Sequence, residues 1–178
     1  MDAARREKKE HGTLAFPFQI YPALDGSEAD DSDFIPYHWH PELEIITVDA
    51  GHVSLTIADH TYEGTHGDVF FAAGEELHEI RAAGRENQFR SFVFAADFLQ
   101  FSRADQRFGT CIRAGEPGQN EIRTLLAQIV RAWQVQAPGC QLAVKAALLG
   151  IVAVCAQYGR LVGHQMSPGA DYKAQQLK

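Results

Sequence analysis

Apolar and polar residues alternate along the first part of the chain and then change period near Gly118. Before it, short runs rich in Val, Ile, Phe, Tyr and Thr are broken by Gly, Pro and Asp. Such runs mark half-buried strands. They predict strands at residues 16–21, 34–40, 44–50, 52–58, 61–63, 68–72, 78–82, 89–94 and 108–113. Asp49-Ala50-Gly51 and Ala58-Asp59-His60 read as hairpin turns, and Gly64, Gly67, Gly74 and Gly84 as further bends. Residues 95–101 read as a short helix on the rim. Strands this numerous, with turns this close together, predict an antiparallel sandwich or barrel.

After Gly118 the period is helical. Ile122, Leu125, Leu126, Ile129, Val130 and Trp133 form one apolar stripe, which Pro138-Gly139 ends. A second helix, residues 140–158, is apolar on two sides. Leu142, Ala146, Leu149 and Ala153 share one face; Val144, Leu148, Ile151 and Cys155 share another. The domain plan is a frayed N-terminus at 1–12, a barrel at 13–117 and a helix pair at 118–160. Residues 161–178 follow as a linker and the start of a further element.

Composition narrows the function. The chain has 178 residues and a net charge of −7, which disfavours duplex DNA binding by this stretch itself. Its three cysteines, Cys111, Cys140 and Cys155, are sparse and include no Cys-x-x-Cys pair, which argues for a reducing cytoplasm. The longest apolar run, residues 146–156, is too short to cross a membrane, and MDAARREKKEHG is not a secretory signal.

Candidate chemistry centres on PYHWHPELEIITVDAG, residues 36–51. On an extended strand His38 and His40 leave the same face, and Glu44 returns to it. His78, on a later strand, is a possible fourth ligand. Imidazoles with a carboxylate suit one divalent transition metal, Zn, Ni, Fe or Mn, and leave positions open for a small molecule. Trp39 alternates with the histidines and should pack away from the pocket, under a helix. One of Phe70 and Phe71 can line the pocket, and Phe70 is the choice. Phe89, Phe92 and Phe94 read as core. His11, His52, His60, His66 and His164 read as solvated. The cysteines read as small buried hydrophobes, with Cys111 the one that has some scope for reactivity. Arg81, Arg85 and Arg90 read either as a solvated edge or as a catch for an acidic effector.

The spacing His-x-His, three residues, Glu, six residues, Gly resembles the first motif of the cupin superfamily. Gly67 through His78 resembles the second, with Gly74-Glu75 where a Pro-Gly pair is usual and Ala82 where many cupins have Asn. His38-Trp39-His40-Pro41-Glu42-Leu43-Glu44-Ile45, with Gly67-Asp68-Val69-Phe70-Phe71 and Glu76-Leu77-His78, resembles the effector-sensing N-terminal domain of AraC-type (arabinose-regulator-like) transcription factors. The resemblance spans about residues 14–178. It implies a cupin-like antiparallel β-barrel (jelly roll), mainly β, followed by an antiparallel helix pair. It also implies an effector held near His38, His40, Glu44, His78 and Phe70. The helix pair would make a homodimer, with Val144, Leu148, Ile151 and Cys155 at the interface. DNA would be met through a helix-turn-helix part beyond this stretch. Residues 13–25 would be either an arm that closes over the effector or an edge strand. Three functions stay open: an effector sensor with or without a metal, a small cupin metalloenzyme (dioxygenase or isomerase type), and a structural cupin.

Overall fold

The computed structural model describes residues 5–21, 33–82, 86–99 and 106–163. Eleven strands among these build three sheets. They are β1 (Phe18–Tyr21), β2 (Asp33–His38), β3 (Leu43–Ala50), β4 (His52–Ile57), β5 (His60–Thr65), β6 (Val69–Ala72), β7 (His78–Ala82), β8 (Gln88–Phe94), β9 (Gln106–Phe108), β10 (Cys111–Ile112) and β11 (Leu161–Gly163). One sheet runs β1-β8-β3-β6-β10, a second β2-β7-β4-β5, and β9 pairs with β11. Every named pairing is antiparallel.

The two large sheets close around a dry cluster. Ile46 and Val48 of β3, Phe70 of β6 and Phe89 of β8 meet Val53, Leu55 and Ile80 of the opposite sheet. Alternate residues of the five-stranded sheet point the other way. Ile45, Phe71, Phe92 and Phe94 form the floor of a second cluster beneath the helices. This explains the apolar run Ile45-Ile46-Thr47-Val48, because a strand covered on both faces needs no polar alternate.

Two helices cover that sheet: α1 (Gln119–Val135) and α2 (Cys140–Gln157). From α1, Ile122, Leu126 and Ile129 are buried, with Leu125, Val130 and Trp133 packed at the margin. Gly150 lets the helices approach, since a Cβ there would lie 3.2 Å from Leu125 Cδ1. By length and composition α2 is apolar enough to cross a membrane, but seven of its residues are buried inside the domain.

The structure assigns the two stripes of α2 the other way round from the expected interface. Val144, Leu148, Ile151 and Cys155 are at most 1% exposed, packed on the barrel and α1. Leu142 and Leu149 face solvent at 75% and 40%, with Ala146 and Ala153 beside them. The interface residues read from the sequence are therefore core. Both stripes are apolar, and the pattern alone does not say which one the sheet takes.

Other departures are local. The strand expected at 108–113 is two, in different sheets, because Gly109 turns the chain and donates its N–H to Arg160 O at 2.6 Å. Residues 161–163, expected as linker, complete that small sheet. Residues 5–12, expected as a frayed end, lie against the end of β2: Glu7 N–H donates to Trp39 O (2.9 Å), and Trp39 N–H to Arg5 O (3.0 Å). The rim helix is a 3-10 turn at Ala96–Leu99. Residues 22–25 of the expected arm, Arg85, residues 100 and 101 of the expected rim helix, His164 and the final stretch lie outside the described residues.

Candidate metal centre and effector cavity

The site sits at one end of the space between the large sheets. Glu44 shares the inward parity of Ile46 and Val48 on β3, and His78 that of Ile80 on β7. His38 ends β2 as the register partner of His78. The register shifts between Ile35 and His38, and the strand bends there toward His40. The ligand atoms of His38, His40, Glu44 and His78 all lie within 4.8 Å of one another. The sequence-predicted set is thus assembled whole.

Two of the rings are held by the far nitrogen. His38 Nδ1 lies 2.9 Å from Pro36 O, and His78 Nδ1 lies 2.8 Å from Glu76 O. An Nδ1–H donated to a carbonyl leaves Nε2 to face the centre, the arrangement usual for a metal-binding histidine. His40 Nδ1 lies 3.5 Å from Glu42 Oε2. Glu44 Oε2 accepts from His40 Nε2 at 3.1 Å and from His78 Nε2 at 3.0 Å. Glu44 is 4% exposed. Burial alone would raise its pKa, but the two imidazole hydrogen bonds hold it well below the usual carboxylate range. Burial pulls His78 down, yet the bond and charge of Glu44 raise it overall. Burial and the neighbouring His78 lower His38. The pocket thus stabilises positive charge beside Glu44, and the donor set fits a divalent transition cation.

The turn that delivers His78 is tight. Gly74 lies so close to Pro41 that a Cβ would meet its carbonyl oxygen at 2.4 Å. Glu75 then takes φ +65°, a left-handed conformation that favours glycine, and its N–H donates to His40 O at 2.7 Å. Gly74-Glu75 thus makes the turn without the usual Pro-Gly pair.

A cavity of about 230 Å³ opens onto the set. Its walls are His38, His40, Glu44, Ser91, Ile35 and Phe89, with Tyr21 from β1 and Glu7, Lys9 and His11 from the N-terminal segment. Phe70 is not among them; it is fully buried in the dry cluster beside Gly64 and Tyr62, and the pocket aromatic is Phe89. The parity of β8 carries that signal, since Phe89 shares its inward face with Ser91. His11 is buried, 6% exposed, with Nδ1 2.8 Å from the Tyr21 hydroxyl, where the sequence placed it in solvent. Burial and the nearby Glu7, Glu44 and Glu42 push the Tyr21 phenol up to about 12, so the hydroxyl keeps its proton. Glu7, Lys9 and His11 lie in a run of charges that carries no apolar period, and only tertiary contact reveals them.

Other expectations resolve simply. Trp39 packs with the N-terminal segment, Arg6 lying 5.6 Å over its ring, rather than under a helix. His52, His60 and His66 are exposed, as read. Arg81 pairs with Glu79 and Arg90 with Asp49, and neither lines the cavity. Burial pushes the Cys111 thiol up to about 11, which suppresses its thiolate.

The model of the AraC-like ligand binding domain matches residues 21–152. A Bacillus subtilis oxalate decarboxylase, studied for its Mn(II) centres, is 24% identical over 36% of this chain and 19% of its own, with a TM-score of 0.33. A protein of unknown function from Streptococcus pyogenes is 22% identical over 37% of this chain and 57% of its own (TM-score 0.33). KdgF from a Halomonas species is 18% identical over 36% and 60% (TM-score 0.34). This chain thus spans under two thirds of each of these structures. No curated protein matches the chain. With its family model matched across both the barrel and most of the helix pair, the chain belongs to the AraC-like ligand binding domains.

Proposed function

We propose that this domain senses a small-molecule effector for a cytoplasmic transcriptional regulator and acts as a homodimer. The observation that carries the reading is the cavity of about 230 Å³ that opens directly onto His38, His40 and Glu44. A concave pocket in which apolar walls meet convergent polar groups supports a small-molecule site. His38, His40, Glu44 and His78 would hold a divalent metal through three Nε2 atoms and a carboxylate oxygen. When bound, the metal would supply a Lewis acid for an oxygen or nitrogen of the effector. Ile35 and Phe89 shape the apolar wall. Tyr21, Lys9 and Ser91 offer donors to polar groups of the effector. The free cysteines fit a reducing compartment. The net charge of −7 leaves DNA contact to a helix-turn-helix part outside this stretch.

The test is a thermal-shift screen of small organic compounds on metal-depleted protein, with and without added Zn²⁺, Mn²⁺ or Ni²⁺. Hits should lose their shift in His38→Ala. Hits whose shifts are unchanged place binding elsewhere. Consumption of a hit in the presence of metal would turn the reading to a cupin metalloenzyme, which the open donor set also supports.

The proposed dimer uses the outward stripe of α2: Leu142, Ala146, Leu149 and Ala153. An exposed apolar face on a helix marks an interaction surface, and a two-fold pairing lets one stripe complement itself. Leu149→Glu should give a folded monomer in sedimentation at micromolar concentration. A monomeric wild type, or a dimer that survives the change, would remove this part of the reading.

A further inference from the structure

Beside the four-residue set lies a second group of ligand-type side chains. Glu7, His11 and His40 present ligand atoms within 4.8 Å of one another. Two come from the N-terminal segment and the third from the barrel. The histidine side chains are each 2% exposed. His11 spends Nδ1 on Tyr21, and its Nε2 lies 3.2 Å from Glu7 Oε2 without an aligned hydrogen bond. His40 spends Nε2 on Glu44, and its Nδ1 is buried without a partner. Glu42 Oε2, 3.5 Å from that Nδ1, is likewise buried and unbonded. Buried polar atoms without partners carry a desolvation cost that a bound group can offset. Two imidazole nitrogens with carboxylates on either side call for a cation.

We propose that Glu7, His11 and His40 form a second site, for a first-row divalent cation, that ties the N-terminal segment to the barrel. Imidazole and carboxylate donors suit Zn²⁺ and its neighbours. Glu7 and Glu42 offset the charge of the ion. His40 is common to both sets; with Nε2 bonded to Glu44 it offers Nδ1 to this one. The segment's other described ties include two backbone hydrogen bonds to Trp39, Arg5 over the Tyr37 ring, the Arg6–Trp39 contact, Glu7 Oε2 3.7 Å from His38 Nε2, and Lys9 over the Tyr21 ring at 4.0 Å. Glu7, Lys9 and His11 also form one wall of the effector cavity. The second ion therefore fixes that wall.

Calorimetric titration of metal-depleted, tag-free protein with ZnCl₂, paired with hydrogen exchange of residues 5–12, tests this. Wild type should bind two equivalents, and Zn²⁺ should slow exchange of the segment at least tenfold. Glu7→Gln with His11→Ala should bind one equivalent, and its segment should no longer respond. Glu44→Gln with His78→Ala should also bind one, with the segment response kept. Glu7→Gln alone, at a partly exposed residue, serves if the double variant unfolds, and it should weaken the second equivalent and the response together. Equal stoichiometry in wild type and Glu7→Gln/His11→Ala, or exchange of the wild-type segment indifferent to Zn²⁺, overturns the proposal. Loss of binding in Glu44→Gln/His78→Ala alone would count against the four-residue set's independence from the second. The metal-binding part of the effector reading fails separately, if Glu44→Gln/His78→Ala binds as wild type does.

Discussion

Asp68 and Glu44 are both buried carboxylates inside the barrel's motifs, and their surroundings are built to opposite ends. Asp68 takes backbone N–H bonds from Thr65 (2.9 Å) and Ala114 (2.8 Å), and Arg113 Nη1 donates to it at 2.8 Å. Beside it, Gln119 Nε2 donates to Gly67 O at 2.6 Å, linking the same turn to α1. Each partner is itself placed by a strand, turn or helix. Glu44 takes its bonds from two imidazoles, and groups around it are left short: His11 Nε2, His40 Nδ1 and Glu42 Oε2 are buried without an aligned hydrogen bond. Burial opposes ionisation at both acids, and hydrogen bonds overcome it at both. A pKa shift therefore does not separate a joint from a binding site here. What separates them is whether the neighbours are satisfied. The Asp68 region is closed, and the Glu44 region leaves donors and acceptors for something to bind.

The largest effect expected from this contrast is on metal binding. His78→Ala removes one of the four proposed ligands and should lower Zn²⁺ affinity by more than the 10–100-fold typical of outer-shell changes. Asp68→Ala should leave that affinity within a few-fold of wild type. Calorimetric titration of both variants decides it. Equal losses would erase the distinction between the two carboxylates.

Stability should follow the reverse order. Asp68→Ala strands Arg113 and two backbone donors. Breaking a buried pair costs about 3–5 kcal/mol, but the Arg113 side chain is 42% exposed and rehydrates. A loss of about 2–3 kcal/mol follows, or roughly 5–10 °C in Tm. The pH dependence has the same origin. Asp68 is held below its ordinary pKa in the folded state. Its contribution is therefore complete above the unfolded-state value of about 4 and is lost as pH falls through the lower folded value. Denaturant melts of wild type and Asp68→Asn from pH 7 to pH 3 should converge toward the acid end. Parallel curves would assign the acid sensitivity to another group.

Much of this architecture is legible in the chain. Short runs rich in β-branched and aromatic residues, bounded by turn residues, place β3, β4, β7 and β8 nearly to the residue. The spacing of His38, His40 and Glu44, with His78 at the end of the second motif, marks all four members of the cluster. What escapes is whatever depends on contacts distant in sequence. β9 and β11 pair only because the chain returns after α2. His11 is polar and surrounded by charge, and it is buried by a segment that docks on Trp39. Phe70 and Phe89 both point inward, and only the bend that opens the site end of the barrel decides which meets the cavity. On α2, two apolar stripes of similar size leave the choice of face to the shape of the sheet.

The smallest expected effect concerns the turn that delivers His78. Glu75 holds φ +65°, while its side chain is exposed and no hydrogen bond to that side chain is needed for the turn. An L-residue in the left-handed region costs roughly 1–2 kcal/mol relative to glycine there. Glycine gives back about 0.5–1 kcal/mol through the greater entropy of its unfolded chain. Glu75→Gly should therefore stabilise the fold by up to about 1 kcal/mol, seen as a small rise in the denaturant midpoint with an unchanged slope. The backbone bond from residue 75 to His40 O is kept, so metal affinity should stay put. If the variant instead gains stability and loses affinity, the strained turn is setting the position of His40 or His78. The Glu44 region would then owe part of its openness to backbone strain as well as to unsatisfied side chains.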